Sequence, residues 1–220
     1  MKSLALSFAF LASTLIAPCS QAHEGHDHAG ASAAKATAPT ISSKQAATRA
    51  VLRDLWVEHV FWIRNYVNAS AAGNAGQKQV AVDEVLANTT RISGAVASFY
   101  GKAAGDRMLA LLAGHWGAVK AYSDASFAKD SKAQQQAATA LIANAKDIAS
   151  FLAKANPNLP EPTLVALLSA HGAHHIAQIQ QVMQGDYVGE ARTWEAMRTH
   201  MFTIADALAD ALAKQFPSKF

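Results

Sequence analysis

A shift of 56 residues lays residues 86–122 on 142–178 without a gap. "LANTTRI" falls on "IANAKDI", and "MLALLAGH" falls on "LVALLSAH", which puts His115 on His171. A repeat of that length holds more than one helix, and such a unit cannot bury its apolar face alone. Apolar residues recur at spacings of three and four in six segments, near 45–70, 79–99, 105–123, 131–154, 162–185 and 189–215. The breaks between them, "AAGNAG", "YGKAAGD", "ASFAKD", "ANPNLPEP" and "GDYVG", carry turn formers and helix breakers. Asp83 and Asp130 read as N-terminal caps. Short connections favour antiparallel neighbours. The expected fold is all-α, an antiparallel bundle of about six helices with an internal repeat, over residues 45–220.

Four of the stripes carry a histidine on or beside the apolar face: His59, His115, His171 and His200. A second echo, "WVEHVFWI" against "MRTHMFTI", puts His59 on His200. One inward histidine on each of several helices is how bundles build metal sites in their interior. These four are expected to approach one another, with His175 at the margin. In "HGAHH", His171 and His175 are four apart, so both rings can reach one ion from a single helix. The ordinary reading of each is a core histidine with one hydrogen-bond partner. No E-x-x-H occurs, and Glu58 beside His59 has the wrong spacing to share an ion with it. A di-iron carboxylate site is disfavoured, and a histidine-dominated site suits copper or zinc. In "LWVEHVFWIRNY" the aromatics read as core. Arg53 and Arg64 flank that segment, and Asp206 is a partner for one of them.

The chain opens "MKSLALSFAFLASTLIAP", one Lys and then an apolar run, which reads as a secretory signal peptide over 1–22 cut after Ala22. Acylation at Cys19 is the weaker alternative, because Pro18 precedes it. The cut removes the one cysteine, so a metal site must use His, Asp, Glu or the new amino terminus. The protein beginning at His23 would carry a His-rich arm, "HEGHDH", whose His23, His26 and His28 are candidate ligands. A small-residue, polar tether completes the span 23–44. Export places the protein in the periplasm or outside the cell. No second apolar run is long enough to span a membrane. Charges are scattered, with a formal net charge of +3 and no basic cluster, so nucleic-acid binding is not expected.

The chain has no G-x-S-x-G, P-loop, dinucleotide fingerprint, H-E-x-x-H or haem-attachment motif. No residue supports an enzymatic activity, and neither haem nor nucleotide is expected. Two readings stand beside a third, an enzyme of unrecognised type. One is an exported bundle that binds copper or zinc through the arm and the core histidines. The other is a ligand-binding or protein-interaction bundle whose histidines are structural. Metal content separates them.

"LRDLWVEHVFWIR", "FYG", "LLAGH", "DIASFLAKANP", "GDY", "IADAL" and "KQFP" resemble a functionally unassigned family of small bacterial helical-bundle proteins with an LRxLWxxHVxWxR motif. Some members bear the names glycosyltransferase or acetylglutamate kinase. Nothing in this sequence supplies a nucleotide-sugar or ATP site to match. The resemblance covers roughly 50–218 and implies roles for Arg53, Trp56, His59, Trp62, Arg64, His115 and His171. The leader and the "HEGHDH" arm depart from the family's plain form.

Overall fold

The computed structural model describes residues 41–220. The expected signal peptide over 1–22, Cys19 and the arm histidines His23, His26 and His28 lie outside the described residues. Six helices follow in order: α1 (Ser43–Ala71), α2 (Ala75–Tyr100), α3 (Lys102–Phe127), α4 (Ser131–Ala155), α5 (Glu161–Gln184) and α6 (Tyr187–Gln215). A single turn of 3-10 helix, Pro217–Lys219, ends the chain.

The 56-residue repeat runs through the whole bundle, three times rather than twice. Its units are the hairpins α1–α2, α3–α4 and α5–α6. Each turn has a residue in the left-handed region: Gly73 at φ 64°, Lys129 at 58° and Gly185 at 75°. The next residue in each turn, Asn74, Asp130 or Asp186, donates its backbone N–H to a carbonyl five residues back, 2.9 Å away in every case. The same residue then caps the following helix, accepting the backbone N–H of Gln77, Ala133 or Gly189. One local chemistry, a left-handed residue followed by a side-chain cap, makes all three hairpins.

Two boundary expectations change accordingly. Asp130 caps as expected, but Asp83 lies inside α2, where it accepts from the Gln79 side chain. Asn74 starts α2 four residues earlier than the spacing suggested. The break at "YGKAAGD" is a single residue, Gly101 at φ 85°. Gly105 is helical, and a Cβ there would stand 2.7 Å from that of Ala97, so glycine lets α3 leave α2 at close range.

Neighbouring helices pack in chain order, and α6 packs on α1. Polar bonds fix that last pairing as antiparallel: Gln45 and Arg49 meet Asp210, Arg53 meets Asp206, and Arg64 meets Glu190. The odd helices α1, α3 and α5 also meet one another, along the middle of the bundle. Hairpin geometry makes them run in the same direction. Their buried faces form two apolar clusters. One contains Trp56, Met108, Leu112, Leu164 and Leu168, and the other contains Ile63, Tyr66, Val119, Tyr122 and Ile179. The histidines lie at the boundary between the two.

Candidate metal centre

Position 59 and its repeat equivalents, 115 and 171, are all histidine, one on each central helix. Equal register on three helices of like direction brings the three rings to one level. Ring centroids lie 5.7 Å apart for His59 and His115, 6.2 Å for His59 and His171, and 5.3 Å for His115 and His171. His175, one turn further along α5, is the fourth member. Its centroid is 4.5 Å from that of His171, and the two Nε2 atoms are 3.1 Å apart. One ring nitrogen from each of the four lies within 4.8 Å of every other. All four side chains are buried, at 0–4% exposure. A tetrahedral ion with 2.0–2.1 Å bonds needs its nitrogens about 3.3 Å apart. The His171–His175 pair is already close to that spacing, at 3.1 Å, and no pair would need to close by more than about 1.5 Å.

The rings are poorly satisfied as they stand. Among the described residues neither nitrogen of His59 or of His115 has a hydrogen-bond partner, nor does Nδ1 of His171. An unpaired buried polar atom costs about 1–3 kcal/mol, and an ion that accepted the one lone pair of each neutral ring would remove that part of the penalty. Burial holds the rings neutral and able to donate. It pulls His59 down to about 3, helped by the neighbouring His115 and opposed by Asn88. It pulls His115 down to about 4, with Asn144 opposing. His171 and His175 lie well below the ordinary imidazole range, first through burial and then through neighbouring rings, His175, His115 and His59 acting on His171, and His115 and His59 acting on His175. Among the described residues no carboxylate joins the group.

His200 does not belong to it. It sits on α6, an outer helix, at the position that Asn88 occupies on α2 and Asn144 on α4. All three do the same work at the same sequence separation of 33. Asn88 Nδ2 donates to the Leu55 carbonyl (2.9 Å), Asn144 Nδ2 to that of Leu111 (3.0 Å), and His200 Nε2 to that of Leu167 (2.8 Å). Each of those carbonyls lies four residues before a central histidine. The echo that aligned His59 with His200 therefore pairs an inner helix with an outer one, and both show an apolar stripe. His200 packs edge-on against His174, with centroids 5.3 Å apart. His175, expected at the margin, takes the place in the cluster that the sequence reading gave to His200.

Asn88 and Asn144 are the residues that sequence reasoning passed over. They lie against His59 and His115, and their own Oδ1 atoms have no partner among the described residues. An amide oxygen beside an imidazole can hold its N–H and turn the other nitrogen toward an ion. The signal was present, because Asn88 falls on Asn144 in the 56-residue match. Glu58 accepts from Asn88 (2.9 Å) and from Arg91, and so is turned away from the cluster. Arg53 pairs with Asp206 as the sequence suggested, while Arg64 forms a two-bond pair with the buried Glu190, which Gln178 also contacts.

No protein-family model, curated protein or solved structure matches the chain. Among the described residues no helix is long and apolar enough to cross a membrane.

Proposed function

We propose that this is an exported metal-binding protein that holds one copper or zinc ion among His59, His115, His171 and His175. The observation that carries the reading is the burial of four neutral imidazoles with their nitrogens within 4.8 Å of one another and no other partner for most of them. Ordinary core histidines are hydrogen-bonded one at a time. Four converge here from three helices, and both nitrogens of His59 and of His115 and Nδ1 of His171 find no partner among the described residues. Imidazole donors suit copper and zinc over magnesium or calcium, which take oxygen ligands. In this reading the leader directs export, and His23, His26 and His28 on the arm capture ions loosely before the core holds them. His200 supports the backbone of α5 and binds no ion.

The test is elemental analysis of untagged protein recovered after native export, compared with a His59→Ala, His115→Ala double variant. About one equivalent of copper or zinc in the parent, lost in the variant, is the expected result. Metal-free parent protein that also takes up neither ion on titration would leave a bundle with structural histidines. Equal uptake by the parent and by a chain lacking residues 23–28 would remove the arm from the scheme.

A further inference from the structure

We infer that a divalent ion held by the four histidines keeps a fifth coordination position, opposite His175, that takes one small monoanion such as hydroxide or fluoride. This rests on the metal reading above.

The repeat defines three successive levels along the central helices. The middle level is His59, His115 and His171. One turn toward the C-terminal ends, the equivalent positions are Ile63, Val119 and His175, so the fourth ligand approaches the triad from that side. One turn toward the N-terminal ends they are Trp56, Leu112 and Leu168. A small cavity of about 10 Å³ lies between the triad and the level of Trp56, lined by His59, His115 and His171, by Trp56, Leu112 and Leu168, and by Ala145 and Ile148. His175 does not line it. An ion bound by the triad and His175 would thus face the cavity across the open side of the triad. The space is about that of one water molecule. It leaves no room for an ester or peptide beside the ion.

Charge argues for an anion there. Four neutral imidazoles leave both charges of a divalent ion in an apolar core, where an uncompensated charge is costly. The carboxylates on flanking positions are committed elsewhere, Glu58 to Arg91 and Glu190 to Arg64. A monoanion on the fifth position would halve the residual charge without disturbing a ligand. The wall offers size selection and no hydrogen-bonding pattern, so charge and small radius set the preference.

The experiment uses full-length protein loaded with one equivalent of Co(II), whose visible absorption weakens when four-coordination becomes five. Sodium fluoride is titrated against a sodium perchlorate control. A saturable one-to-one loss of intensity with fluoride alone is expected. Ala145→Leu overfills the cavity and should weaken fluoride binding about tenfold or more while keeping one Co(II) per chain, with Leu168→Phe as the alternative filling variant should the first not fold. A Co(II) spectrum indifferent to fluoride would mean a closed four-histidine site and would overturn the inference. So would an undiminished fluoride response in both filled variants. Failure to take up Co(II), Zn(II) or Cu(II) at all would instead remove the metal reading on which this one rests.

Discussion

Lowering the pH from 7.5 to 5.0 should destabilise the metal-free protein far more than a bundle of this charge would otherwise suffer. In the unfolded chain the histidines titrate near 6.5. In the folded chain His59 is held down to about 3 and His115 to about 4. At pH 5.0 the unfolded state therefore binds two protons at these positions that the folded state refuses. The sign follows: stability from the neutral rings is complete above about pH 6.5 and is lost as pH falls toward the folded-state values. Each such ring costs about 1.4 kcal/mol per pH unit below 6.5, or about 2 kcal/mol at pH 5.0. The two together cost about 4 kcal/mol, and His171 and His175 act in the same direction. That is a large share of the 5–15 kcal/mol of a typical domain, and at this chain length it lowers the melting temperature by roughly 8–16 °C. Urea unfolding followed by circular dichroism at the two pH values, in the presence of chelator, measures it. A His59→Leu, His115→Leu variant should lose much of the dependence. Metal-free protein equally stable at both pH values, or a variant with the parent's slope, would refute the argument that these rings are buried, neutral and unpaired.

His175→Val restores the residue type found at the equivalent Val119; it should leave the helical signal and the metal-free stability intact or improved while weakening Zn(II) affinity at least tenfold by calorimetry. His200→Asn installs the residue of the two equivalent positions and should keep one metal per chain, whereas a ligand role for His200 would show as lost stoichiometry. Arg64→Ala strands the buried carboxylate of Glu190 and should cost about 3–5 kcal/mol in urea unfolding. A chain starting at Ile41 retains the Ser42 side chain that accepts the Gln45 N–H, and one starting at Ser43 should be less stable by roughly 0.5–2 kcal/mol.

The helices were legible because each carries an apolar stripe of helical period, and their ends were legible where a turn former and a cap coincide, as at Asp130. At Asn74 the two were merged into one break, because "AAGNAG" gives no hint which of its small residues is left-handed. The central histidines were legible individually. What periodicity could not supply was depth. A stripe on α6 and a stripe on α1 look alike, although one helix is outside and the other central, so His200 was placed among the ligands. Only the 56-residue register separates them, since it equates His200 with Asn88 and Asn144 and leaves His175 with no counterpart but Ile63 and Val119. The cavity beneath the triad depends on how Trp56, Leu112 and Leu168 fill one level, and no spacing rule encodes that.

The pairing of α1 with α6 gives the hairpins a cyclic order. Gln45 and Arg49, near the start of α1, bond to Asp210, near the end of α6. The first hairpin thus follows the third in space as the second follows the first. A circular permutant opened at Gly101, with a short linker joining the old ends near Ser43 and Gln215, would present the same central helices in the same register. Each hairpin contributes at least one histidine of the cluster, and none supplies it alone. The order in which translation delivers the three is immaterial to the site they enclose.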